Sequence, residues 1–204
     1  NVDALREYEA AGGTGLTLVT LPYAEVQIHR GEDFAESYEI TYGLARKARE
    51  ATSLKINIAV GPYPGLIIPL AEAYGLEAAE DMLIRGMEDA AKAVSEGKAV
   101  AIGEIGRPHF PVSEEIWDAS NRVLLRGMEL AEEVDCPVII HCESEADTDR
   151  SLAELADTID IARAQAAKKR AEDRLASKSK EINVDRAKLA LQRALTRLKT
   201  TGTL

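Results

Sequence analysis

Apolar residues recur with two alternating periods through residues 1–142, and that alternation predicts the fold class. Short, mostly apolar runs read as strands: residues 15–21 (GLTLVTL), 54–60 (LKINIAV), 99–105 (AVAIGEI) and 138–142 (VIIHC). Pro22 stops the first run, Gly61-Pro62 closes the second, and Pro137 sits where a strand tolerates proline, at the start of the fourth. Between the runs the period lengthens to that of a helix. Val2, Leu5 and Tyr8 predict a short amphipathic helix ended by Gly12 and Gly13. In residues 34–51, Phe34, Tyr38, Tyr42, Ala45 and Ala48 fall near one face. Residues 77–95 carry a stripe of Ala79, Met82, Leu83, Met87 and Ala90, and residues 114–134 form a further helix. The glycine- and proline-rich connection 62–76 includes a short helical piece at 67–74.

Helices of about twenty residues between strands of five to seven suit crossovers that join parallel strands. Near-continuous apolar strands suit burial on both faces. The expected class is therefore α/β, as a partial TIM-like (β/α) barrel or an open parallel sheet. Such a sheet has open edges, which we expect the remaining chain or a second copy to cover.

The pattern changes abruptly after His141. Residues 1–142 hold 13 of the 14 glycines and every Tyr, Phe and Trp, whereas the last 62 residues read as an alanine-rich antiparallel helical hairpin. That segment repeats itself at an offset of 23 residues: Ile159-Asp160-Ile161-Ala162-Arg163-Ala164 matches Ile182-Asn183-Val184-Asp185-Arg186-Ala187. Asp160 and Asn183 are good N-caps. Ala164, Ala167, Ala171 and Leu175 in the first copy correspond to Ala187, Ala190, Ala194 and Leu198 in the second, a small-residue stripe that permits close helix approach. Leu189, Leu191 and Leu195 add apolar surface that asks for cover. The expected organisation is an α/β domain over 1–142, a linker over 143–151, and a hairpin over 152–204.

Charge follows the same division. The formal net charge of -10 splits into 24 acids against 12 bases in residues 1–142, and 11 against 13 in the rest. An acidic main body disfavours a nucleic-acid backbone as partner. Two cysteines, Cys136 and Cys142, suggest a reducing, cytoplasmic setting without a disulfide framework. No apolar run reaches the ~18–20 residues of a membrane span, and no signal-peptide pattern opens the chain. The chain starts at Asn1 without methionine, which suggests a segment upstream that was removed or not included. Self-association through open sheet edges or the tail helices is the expected kind of partnership.

Candidate chemistry sits late in two strands, at Glu104 and His141. At that end of a parallel barrel, a carboxylate and an imidazole can converge on a divalent metal such as zinc, magnesium or manganese. The alternative is structural, with Glu104 capping a helix or pairing with Arg107 and His141 buried as a satisfied histidine. His29 and His109 lie in loops from which either could reach a rim site. Cys142 has no neighbour that would activate its thiol, and the glycine-rich segments 12–15 and 61–65 lack phosphate-loop or dinucleotide spacing.

The segments AVAIGEIG (99–106) and PVIIHCE (137–143), in that order with a helix between, resemble the TatD-like branch of the metal-dependent amidohydrolase superfamily, particularly its archaeal members. That resemblance covers residues 1–144. It implies a (β/α) barrel with one or two divalent metals and hydrolysis of phosphodiester or related bonds, with Glu104 and His141 as metal ligands. The H-x-H pair that opens the family pattern is missing, and three histidines in the whole chain do not fill the expected ligand set.

Residues 152–201 resemble the C-terminal helical hairpin of the bacterial ATP synthase epsilon subunit, through I-D-x-x-R-A, R-A-x-x-R-L and the closing A-L-x-R-L-K. There the hairpin folds against a β-sandwich or extends into the catalytic head, and in some members it binds ATP. The resemblance implies Ile159, Asp160, Arg163, Arg170 and Arg193 as nucleotide-binding candidates; helix-surface arginines facing solvent are the structural alternative. Taken together, these readings favour a chimeric or truncated α/β chain that keeps part of a divalent-metal hydrolase site. The alternatives are an active metal-dependent phosphoesterase and an epsilon-like ATP-binding or regulatory module.

Overall fold

The four apolar runs form four parallel strands, β1 (Gly15–Val19), β2 (Lys55–Val60), β3 (Ala101–Gly106) and β4 (Val138–His141), hydrogen-bonded in the order β1-β2-β3-β4. The computed structural model describes residues 1–108, 110–141, 161–177 and 184–202. The helices are α1 (Val2–Ala10), α2 (Phe34–Ala51), α3 (Ile67–Tyr74), α4 (Leu76–Ser95), α5 (Glu114–Glu133), α6 (Ile161–Ala176) and α7 (Val184–Thr200). The chain divides into two units, Asn1–Cys142 and Glu143–Leu204. The first is an α/β half-barrel built on a curled parallel sheet, and the second holds a hairpin-like helix pair. The expected linker over 143–151 and the expected caps at Asp160 and Asn183 lie outside the described residues.

Burial explains why the helices sit where they do. Phe34, Tyr38, Ala45 and Ala48 of α2 are almost fully buried, as are Ala79, Leu83, Met87 and Ala90 of α4. They cover the inner strands, whose Ile56, Ile58, Val60, Ile102 and Ile105 are likewise buried. Area removed from water at about 25 cal/mol per Å² makes this apolar layer the main favourable contribution to the unit. Ser113 caps α5, its hydroxyl accepting from the Ile116 amide, and Glu114 and Glu115 follow in the first turn, where helix polarity favours acids. Across the helix layer, Arg122 of α5 clamps Glu80 of α4 through two hydrogen bonds of 2.7 and 2.6 Å.

The structure shifts several expected details. β1 ends at Val19 rather than Leu21: the Thr20 amide makes a last bond to the β2 carbonyl of Ala59 at 3.2 Å, and Leu21 beyond it is 51% exposed. On α2 the buried position is Thr41 rather than Tyr42, which is half-buried. The Thr41 hydroxyl donates to the Ser37 carbonyl, so it accepts from Thr20 and Tyr23, whose hydroxyls both lie 3.1 Å away. A threonine with all its hydrogen-bonding capacity engaged can replace an apolar residue in a core.

In the second unit, Ala164, Ala171, Ala187, Ala194 and Leu198 are buried, at 1–3% exposure. Leu189, which the pattern marks as seeking cover, is 59% exposed. No helix among the described residues is long and apolar enough to cross a membrane. Cys136 is buried.

Candidate functional site

Glu104 and His141 come together at the C-terminal ends of neighbouring strands. Across β3 and β4, Gly103 faces Ile139 and Ile105 faces Ile140, which leaves Glu104 as the extra residue of a β-bulge. In a regular strand its side chain would simply alternate with its neighbours. A bulge re-aims one side chain and is a recurrent device beside functional sites. Here the Glu104 Oε2 lies 3.3 Å from the His141 Nδ1, and each side chain is about a quarter exposed, at 26% and 25%. The pair is therefore sheltered yet accessible.

Two further residues stand at this end of the sheet: Tyr63, which carries no periodic signal of a site, and Arg107, expected only as a pairing partner of Glu104. Tyr63, three residues beyond β2, meets the His141 imidazole edge to face, with ring centroids 5.2 Å apart and planes at 75°. Arg107, just past β3, turns to α5. Its Nη1 donates to the Asn121 side-chain carbonyl at 3.1 Å, and its guanidinium lies 4.7 Å over the Trp117 ring. The expected alternative of a Glu104–Arg107 pair thus gives way to Glu104 facing His141 and Arg107 held on the helix. An aromatic residue between two prolines directly after a strand, as in Pro62-Tyr63-Pro64, is the sequence signal that could have marked Tyr63.

The other candidates are placed elsewhere. His29 is exposed, with its Nδ1 2.7 Å from the Tyr74 hydroxyl. Its backbone N–H donates to Asp33, and that hydrogen bond holds the Asp33 carboxyl below the usual range. His109 and Cys142 lie outside the described residues, as do Ile159 and Asp160. Arg163 belongs to α6, but its side chain is outside the description. Arg170 is exposed on α6 and Arg193 is half-buried on α7. Among the described residues, no group of three or more His, Cys, Asp or Glu side chains gathers as a metal cluster.

A family model described as TatD related DNase matches residues 2–181. An uncharacterized protein of Methanocaldococcus jannaschii is 42% identical over 94 residues, which make up 46% of this chain and 34% of that protein. An ATP synthase epsilon chain of Desulforamulus reducens is 60% identical over 47 residues, 23% of this chain and 36% of that protein. The ATP synthase epsilon chain of Bacillus velezensis is 58% identical over 50 residues, 24% of this chain and 38% of that protein. The chain spans about a third of the length of the curated relatives it matches. No solved structure matches it significantly.

Proposed function

The chain belongs to the TatD related DNase family, and on that premise we propose that it is a chimeric α/β protein carrying part of a divalent-metal hydrolase site. The observation that carries this reading is the 3.3 Å approach of Glu104 to His141 at the strand ends. With metal–donor distances of about 2.1 Å, two donors sharing one ion stand ~3.0 Å apart in an octahedron and ~3.4 Å in a tetrahedron. The observed separation falls within that span, so the pair fits one edge of a coordination shell. An imidazole beside a carboxylate suits zinc or manganese better than magnesium, which prefers oxygen and water. When bound, such an ion would polarise a phosphodiester oxygen or activate water. A catalytic zinc normally takes three protein ligands, and the described residues bring two together here, which makes this a partial site.

Calorimetric titration of the metal-stripped protein with Zn²⁺ and Mn²⁺ tests the reading. We expect one weak site, lost in both Glu104→Ala and His141→Ala. Binding that survives both substitutions would overturn the assignment. Hydrolysis of bis-p-nitrophenyl phosphate that requires both residues would replace the partial-site reading with a complete phosphoesterase.

The likeness to epsilon chains supports a second reading, nucleotide binding by the hairpin through Asp160, Arg163, Arg170 and Arg193. ATP titration of the full chain should then give saturable heat that Arg170→Ala and Arg193→Ala reduce; no heat would exclude it. The outer strands β1 and β4 also support pairing with a second copy. Sedimentation velocity showing only monomer across concentration would rule that pairing out.

A further inference from the structure

We infer that Tyr63 is a positioning residue for His141: its ring sets the plane of the imidazole so that Nδ1 faces Glu104. The inference builds on Glu104 and His141 as the donor pair of the proposed site. It begins in the backbone. Tyr63 lies between Pro62 and Pro64, both buried. A residue before proline is pushed to extended backbone, and Tyr63 has φ -60° and ψ 127°. Its carbonyl accepts from the Leu66 amide at 3.1 Å, closing the short turn that follows. The direction in which the Tyr63 side chain leaves the chain is therefore determined by its neighbours.

Gly65 then determines where the ring can lie. A Cβ on Gly65 would stand 2.6 Å from the Tyr63 Cε1, so the ring occupies space that any side chain at 65 would take. Held there, the ring meets the imidazole edge to face at 5.2 Å, an arrangement aromatic pairs prefer over a face-to-face stack. A histidine side chain has two rotatable bonds. The aromatic contact restrains the ring plane and the 3.3 Å contact of Nδ1 with Glu104 restrains its rotation, so the two together specify one orientation. Partners that orient a ligating imidazole are commonly worth 10–100-fold in metal affinity.

The test follows the His141 ring nitrogens by ¹⁵N NMR, assigned by their loss in His141→Asn, alongside Zn²⁺ calorimetry. In the metal-free parent chain we expect a single tautomer with the proton on Nδ1, toward the carboxylate, and with Zn²⁺ bound a single tautomer with the proton on Nε2, because Nδ1 and the Glu104 carboxylate are then the two donors. Tyr63→Phe keeps the ring and should keep both the tautomer and the affinity within about twofold. Tyr63→Leu removes the aromatic edge and should give mixed-tautomer shifts and at least a ~10-fold weaker Zn²⁺ affinity. Gly65→Ala should reproduce that effect with Tyr63 intact, and it serves as the second variant should Tyr63→Leu fold poorly. An unchanged ring spectrum in Tyr63→Leu or Gly65→Ala would overturn the inference. So would a Tyr63→Phe variant that behaves like Tyr63→Leu, because the hydroxyl would then be the active element. If the parent chain binds no Zn²⁺, the metal reading fails, while the ring spectra still decide the role of Tyr63.

Discussion

Gly103 and Ile139 lie so close across β3 and β4 that a Cβ on Gly103 would stand 2.7 Å from both the Ile139 Cβ and its carbonyl oxygen. This approach occurs at the register position just before the bulge that carries Glu104. Gly103→Ala should therefore push the two strands apart at the point where the candidate site is assembled. Overpacking of this kind costs ~1–3 kcal/mol. Urea unfolding should show the lower midpoint, and Zn²⁺ titration should show weakened binding. A variant as stable as the parent, with binding intact, would mean that the strands can separate without cost to the site.

Tyr38 links two helices through one buried hydrogen bond. Its ring is 2% exposed on α2, and its hydroxyl donates to the Gly86 carbonyl of α4 at 2.9 Å. Burial drives its phenol well above the ordinary tyrosine range, with Asp89 and Tyr42 adding to the effect. Tyr38→Phe keeps the volume and removes the bond, so the expected loss is ~0.5–1.5 kcal/mol by denaturant titration. A neutral or stabilised variant would show that the Gly86 carbonyl is satisfied without the tyrosine.

Tyr42 gives a pH dependence whose sign can be worked out. Burial, reinforced by Glu39 and Glu96, raises its pKa from 10.0 to about 12. The folded state thus keeps a proton that the unfolded chain loses first. The contribution of Tyr42 is fully present below pH 10.0 and is lost as the pH rises toward about 12. Tyr42→Phe should flatten that part of the alkaline stability profile while leaving its shape below pH 9 unchanged. Absorbance at 295 nm should show the corresponding phenol missing from the late-titrating group.

These cases mark where sequence patterning reaches and where it stops. The apolar runs gave four strands, and crossovers of about twenty residues made them parallel, because both properties depend on local period and length. Glu104 and His141 were visible as polar residues late in apolar strands. The bulge that turns Glu104 toward His141 was not, since it depends on how two distant segments pair in register. Tyr63 was hidden for the same reason: its role is a contact with a residue 78 positions away, with no periodic signature. Apolar periodicity does not mark Thr41, which is buried because its hydroxyl finds Ser37, Thr20 and Tyr23. Patterning therefore located the elements and the polar ends of strands, and tertiary pairing determined how those ends were used.

The internal repeat of the second unit gives a prediction about helix spacing. Ala171 on α6 and Ala194 on α7 occupy equivalent positions in the two copies, and each is 1% exposed. Leucine nearly equals alanine in helix propensity, so Ala194→Leu tests packing without weakening the helix itself. Three added carbons at a fully buried position should cost ~1–3 kcal/mol and lower the thermal midpoint followed by circular dichroism at 222 nm. Leu189→Lys is the control on the same helix: its site is 59% exposed, so the change should stay within ~0.5 kcal/mol. If Ala194→Leu melts with the parent while Leu189→Lys does not, the burial would belong to the opposite face of α7, and the alanine stripe would not be the seam of the pair.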